Sequence, residues 1–416
     1  MRLSIKVPKA AMTMFFITLI TVFMVFTQQV SGHATLEKVT PNANSIVDEQ
    51  PNKIKLQFNE PVHPKYSSIK IFDDSGKEIS EVKPSTSGTS QTLNFPAGDL
   101  GEGTHNIQWQ TMSADGHEIS DTFEFSIGNE TANGIDTTPP FYEKADFWFG
   151  ALRFVTEGLI ITLVGLFLVN KLANKKGLYS FETDRYIGPI IGMLMMLTLM
   201  TGLVYMMTLS SDIVSDILIL QTATLMQVPF VLAMLAIIIL LFLFTLKNMA
   251  QIWYVLIAII MLVTLSMSGH AWSQAVPMWS VFIRAIHITG MSLWLGALIY
   301  LIFIIYSKTQ ENIQPTRNFL FKLNTTAVAL IIISGVLMAI DQTNILAIWF
   351  NIQTWSALLI VKVILTMVMM SLGFYQTTRA LGKRQRTNQK LLYFELALGL
   401  ILILAGVIMS QINIPG

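Results

Sequence analysis

The chain has 416 residues, 52% of them hydrophobic and 13% charged, with a mean hydropathy of +0.56. That composition belongs to a membrane protein carrying some soluble mass, and it excludes a purely water-soluble enzyme. There is no cysteine, so disulfides and thiolate metal sites are excluded, and the net charge of +1 conceals a strong division along the chain.

Arg2, Lys6 and Lys9 precede an apolar run from Ala10 to Phe26, followed by Val30-Ser31-Gly32. This is the pattern of a secretory signal peptide over residues 1–32, with His33 as the first mature residue. From His33 to Asp146 there are 18 acidic residues against 8 lysines; from Phe147 onward there are 16 Lys/Arg against 8 acids. The acidic segment is expected outside the cell, where it attracts cations; nucleic acid is not an expected partner.

Residues 33–128 alternate as half-buried strands do: Ile54, Leu56 and Phe58 with Lys55 and Gln57, and Phe123, Phe125 and Ile127 with Glu124 and Ser126. Turn signals such as Thr40-Pro41-Asn42 and Asp73-Asp74-Ser75-Gly76 separate the runs, which predicts a small Ig-like all-β sandwich. Residues 129–146 read as a polar linker.

Eight apolar stretches follow within 147–410, near 147–169, 186–208, 224–246, 250–268, 278–306, 319–340, 354–376 and 391–409. Each is long enough, at about 20 residues, for a transmembrane helix in a lipid bilayer. Alternate loops hold 4, 1, 3 and 5 Lys/Arg, and the loops between helices on the other side hold none. The positive-inside rule then places both mature termini, with the short tail 411–416, outside a multi-pass cell-membrane protein.

A terminal His33 offers two nitrogen donors, its α-amine and its imidazole, and Asp115-Gly116-His117 offers a carboxylate and a second imidazole. Nitrogen and oxygen donors of this kind suit Cu(II) in tetragonal geometry. His105 shares the inward face of its strand with Ile107 and Trp109 and reads as a core residue; His63, beside Pro64, reads as a solvated loop residue. Met112 is the only methionine of the β-domain, so no thioether cluster for Cu(I) is expected there.

In the membrane part, His270 falls at the outer end of the fourth stretch with Met267 one turn before it. On the fifth, Arg284, His287, Met291 and Trp294 share one helical face. His270 and His287, with Met267 and Met291 as weaker candidates, are the expected membrane copper site, its oxidation state open between Cu(I) and Cu(II). Arg153 with Glu157, Lys362, Arg284 and Glu395 are expected to be structural, with Lys362 and Arg284 snorkelling outward.

The segment 33–127 resembles the copper-resistance protein C family through its terminal "HA", "LQFNEPV" and "IQWQTMSADGHEISDTFEFSI". The membrane part resembles the copper-resistance protein D family through "SGHAW" and "IRAIHITGMSLWLGAL", and the fusion resembles YcnJ-type copper transport proteins. The resemblance implies Cu(II) held by His33, Asp115 and His117 and passed inward, in a copper acquisition protein that is not an enzyme. An extracytoplasmic copper chaperone or reductase is a candidate partner. The alternatives are copper resistance or sequestration with the same site, a copper-dependent oxidative enzyme, and a metal-free adhesion module.

Overall fold

The computed structural model describes residues 34–113, 118–132, 134, 140–181, 184–272, 274, 276–306, 314–343, 354–377, 379 and 389–412. His33, Asp115 and His117, the three expected sandwich ligands, lie outside the described residues.

Seven strands form the N-terminal domain: β1 (Leu36–Thr40), β2 (Ser45–Val47), β3 (Lys53–Phe72), β4 (Glu78–Val82), β5 (Ser90–Pro96), β6 (Gly103–Ser113) and β7 (Glu118–Ile127). The 20-residue β3 organises them. Its first half pairs with β1 and β5, and its second half with β4 and β6. β6 pairs in turn with β7, whose other edge takes β2 in parallel. One strand thus serves both layers, and the register shifts between Gln57 and Val62 and between His63 and Ser68 let it turn from one layer to the other. Ile54, Leu56 and Phe58 face Ile69, Ile71, Ile107, Trp109 and Phe125 in one core. Burying each such side chain contributes about 1.5–3 kcal/mol, and the alternation read from the sequence is the alternation observed. His105 is 3% exposed and packs on Phe125, as its inward position required.

Among the described residues ten α-helices follow: α1 (Ala145–Lys175), α2 (Asp184–Met207), α3 (Ser211–Leu218), α4 (Thr222–Gln227), α5 (Pro229–Phe244), α6 (Gln251–Ser266), α7 (Pro277–Tyr306), α8 (Gln314–Gln342), α9 (Thr354–Thr377) and α10 (Gln389–Met409). Six of them, α1, α2 and α7 to α10, are long and apolar enough to cross a membrane. The other two stretches of the expected eight are the 16-residue α5 and α6. The run 224–246 is divided at Val228, where Pro229 lacks an amide hydrogen and begins a new helix.

The chain forms two compact units. One combines 33–156 with 186–247, and the other 157–185 with 248–416. In the second unit α1 and α7 meet at glycine. A Cβ built on Gly165 would lie 2.6 Å from the carbonyl carbon of Ser292, and one on Gly296 would lie 2.6 Å from the amide nitrogen of Leu166. The hydroxyl of Ser292 donates to the Ile161 carbonyl (2.7 Å) across the same crossing. Small residues permit this backbone approach, which is how helices pack tightly in lipid.

Candidate metal centre

The expected site is approached through the described residues on either side of its ligands. Ala34 is 3% exposed and belongs to the sandwich core. The Thr35 amide donates to Asn59 Oδ1 (2.6 Å), and the Asn59 amide donates to the Thr35 carbonyl (3.0 Å). The start of the described chain is therefore pinned to β3 at Asn59. Three residues further along, Val62 pairs with Ser113 and His63 with Met112, and Met112 pairs across with Glu118 to open β7. The described segments flanking His33 and residues 115–117 both attach to the short stretch of β3 from Asn59 to His63.

Two donors within that stretch have described positions. The His63 imidazole is half-buried, and burial holds it below its usual pKa. It is therefore neutral at pH 7, the form a metal requires. This corrects the expectation of a solvated loop residue: Pro64 belongs to a strand that bulges, and His63 lies within the ladder, with its ring tilted against Tyr66. Glu60 was overlooked in the sequence. It lies inside the "LQFNEPV" run, between Asn59 and Val62 of β3. Among the described residues no three His, Asp or Glu cluster closely enough to hold a metal ion.

The bulge after His63 also docks the sandwich onto the short helices α3 to α5. Tyr66 and Met112 pack with Ile213, Ile217, Val228 and Val231. The Tyr66 hydroxyl donates to Asp216 Oδ2 (2.8 Å), which also accepts from Lys65 (2.5 Å) and from Thr224 Oγ1 (3.2 Å). Lys83 meets Asp212 at 2.5 Å. Three donors, the Lys65 ammonium foremost, hold the Asp216 carboxyl below the usual carboxylate range. A depressed pKa contributes stability above the unfolded value of 3.8, which is lost only as pH falls through the lower folded value. Mild acid therefore does not open this docking. Asp216 is 7% exposed, whereas the Lys65 side chain is 56% exposed. Asp216→Ala is expected to cost about 1–3 kcal/mol, because it removes the acceptor shared by Tyr66, Lys65 and Thr224 and leaves the buried Tyr66 hydroxyl only Thr224 Oγ1 at 3.0 Å; Lys65→Ala is expected to cost under about 1 kcal/mol. Hydrogen exchange along 64–72 in the two variants measures the difference.

In the helical unit, the backbone of His270 occupies the 3-10 turn Gly269–Ala271, and its side chain lies outside the description. Met267 caps the C-terminus of α6. His287 on α7 faces α8, where its Nδ1 lies 3.2 Å from the Ile331 carbonyl and 3.0 Å from Ser334 Oγ. A carbonyl can only accept, so Nδ1 carries the proton and Nε2 keeps its lone pair. Met291 follows one turn along the same face and packs with Trp294. Arg284 does not snorkel: it donates to the Ser268 carbonyl, which ties α7 to the chain just before His270. Arg284 and Lys362 both act electrostatically on His287. Arg153 lies over the rings of Phe149 and Phe230 (5.7 and 5.2 Å to the centroids), a cation–π seat the sequence did not disclose.

Fold and site together define a class: an all-β domain, with its chain start and its β6–β7 hairpin on one stretch of β3, joined to helices able to cross a membrane. Residues 36–128 match the family model described as the CopC domain. The chain is 29% identical over 114 residues to the Copper transport protein CutJ of Bacillus subtilis (strain 168), covering 26% of this chain and 21% of that protein. It thus spans about a fifth of the length of that relative. It is also 29% identical over 105 residues to the Copper resistance protein C of Escherichia coli, covering 23% of this chain and 82% of that one. Among solved structures, CopC from Methylosinus trichosporium OB3b is similar at 31% identity over 24% of this chain and 98% of that one, with a TM-score of 0.22. The relatives are copper transport and copper resistance proteins, and the copper-related reading rests on them.

Proposed function

We propose that the protein acquires copper: the sandwich captures Cu(II) outside the cell through His33, Asp115 and His117, and copper then passes to the membrane helices by way of His270 and His287. One observation carries this reading. The described flanks of His33 and of the Asp115–His117 turn meet on Asn59 to His63 of β3. The neutral His63 and the carboxylate of Glu60 belong to the same stretch and suit the same ion. Tyr66 and Met112, close in sequence to the proposed site, pack on α3 to α5 within the same unit. On α7, the Nδ1 bond to Ile331 leaves Nε2 of His287 as the free donor, flanked by the thioether of Met291. Copper is cargo throughout and no chemical step is required of the protein, so it is read as a carrier and not an enzyme.

The relatives include both a copper transport and a copper resistance protein, so the direction of flux is the point to test. Total cell copper under copper scarcity, with the gene intact, deleted, or encoding His33→Ala, decides it. Import predicts lower copper in both altered strains. A rise on deletion overturns import and assigns the protein to resistance.

A further inference from the structure

The helical unit holds a cavity of about 270 Å³ that the copper reading leaves unused. It lies among α7, α8, α9 and α10, and Trp294, Arg317, Asn324, Met370, Gln376 and Glu395 are among its lining. Arg317 stands in the first turn of α8, Gln376 in the last turn of α9, and Glu395 in the first two turns of α10. The cavity is therefore at the end of the unit that bears the loops rich in lysine and arginine, the end the sequence assigns to the cytoplasm.

Its polar groups are unbalanced. Glu395 is 4% exposed and accepts one bond, from Gln376 Nε2 at 2.6 Å. It makes no ion pair among the described residues. The Oδ1 of Asn324 and the Oε1 of Gln376 are buried and meet no donor among the described residues. Arg317 is the one other charged group lining the cavity, and α7 and α9 contribute none. The Arg317 guanidinium, whose Nε is also buried, lines the same cavity without forming an ion pair with Glu395, so the carboxyl and the two carbonyl oxygens still take a donor from water or a cation inside the cavity. The volume suffices for several waters. Two further donors in the lining, the thioether of Met370 and the indole face of Trp294, suit a soft monovalent ion.

We propose that this cavity is a cation–proton exchange site at the cytoplasmic end of the helices, in which Glu395 holds a proton when the cavity is empty and surrenders it when a soft monovalent cation enters. The exchange is balanced: the carboxylic acid loses its O–H proton to cavity water, the carboxylate becomes the counter-charge of the incoming ion, and no electron moves. The net charge of the site is unchanged by the exchange, because one positive charge leaves as another enters. This rests on reading the helices as the copper path, with captured Cu(II) reduced to Cu(I) by an extracytoplasmic one-electron reductase before it enters them, and it assigns that monovalent form to their cytoplasmic end.

The test is labelling of the full-length protein in membranes by a hydrophobic carbodiimide, which couples to protonated carboxyl groups in apolar surroundings, with the site read by peptide mass spectrometry. Glu395 is expected to be labelled, and labelling to fall about tenfold per pH unit above its midpoint as the protonated fraction falls. Ag(I), a stable substitute for Cu(I), is expected to suppress labelling several-fold at fixed pH. Met370→Leu is expected to remove that suppression while keeping the pH dependence. Absence of label at every pH, or labelling indifferent to Ag(I), overturns the proposal. His33→Ala leaves every arm of this test unchanged, so failure of copper capture by the sandwich is read separately.

Discussion

Replacing His33 with alanine is expected to weaken Cu(II) binding by the full-length protein at least about 100-fold, because second-shell partners alone account for 10–100-fold in metal affinity. The substitution removes the imidazole arm of the chelate, and the remaining α-amine is a single donor. Adding one residue ahead of His33 is the sharper variant. It keeps the imidazole but moves the terminal amine, and it is expected to lower the affinity comparably. Competition titration against a copper chelator measures both, and nitrogen hyperfine structure in the Cu(II) spectrum counts the donors lost. Both nitrogen ligands must be deprotonated to bind. The affinity is therefore expected to fall as pH drops below about 8, where the α-amine begins to protonate, and more steeply below about 6.5, where a free imidazole protonates as well. His105→Phe, a change in the buried core beside Phe125, is expected to leave copper binding unaltered. Binding by His33→Ala within a few-fold of the parent protein would remove His33 from the site.

The second large effect concerns the helical unit. Gly165→Ala drives a methyl group into the backbone of Ser292, and Gly296→Ala drives one into the backbone at Gly165 and Leu166. Overpacking a core commonly costs about 1–3 kcal/mol when neighbouring side chains can shift. Here the obstacles are backbone atoms of a second helix, which cannot rotate aside, so the cost is expected to exceed about 3 kcal/mol. Separating α1 from α7 also breaks the bond from Ser292 to the Ile161 carbonyl and disturbs the face that carries His287 and Met291. Little monodisperse protein is expected in detergent, with a markedly lowered Tm for what remains. Gly192→Ala on α2 is the control: nothing lies within 4 Å of its Cβ. Alanine there is expected to be neutral or slightly stabilising, because glycine is the poorer helix former. Equal thermal stability of Gly165→Ala and Gly192→Ala would refute the close crossing.

Local pattern carried a good part of this. The alternation of Ile54, Leu56 and Phe58 is visible without coordinates, and all three are at most 1% exposed. The same rule placed His105 in the core. At His63 the neighbouring Pro64 suggested a loop, whereas the residue lies in a bulged strand, and bulges leave little trace in a run that contains two prolines. Hydropathy found the apolar stretches, but a window average does not register that Pro229 starts a new helix, and so α5 and α6 are shorter than the runs that suggested them.

By itself, the sequence determined the two fold classes, the acidic and basic halves, and the candidate ligands His33, Asp115, His117, His270 and His287, since periodicity, charge and residue type are local properties. Only the tertiary structure decided that the flanks of residues 33 and 115–117 share one stretch of β3, that Tyr66 and Asp216 join the sandwich to α3 and α4, and that Glu395 and Asn324 line one cavity. Each of these joins positions far apart in the chain, and such contacts are set by strand register and helix packing, which no single window of sequence contains.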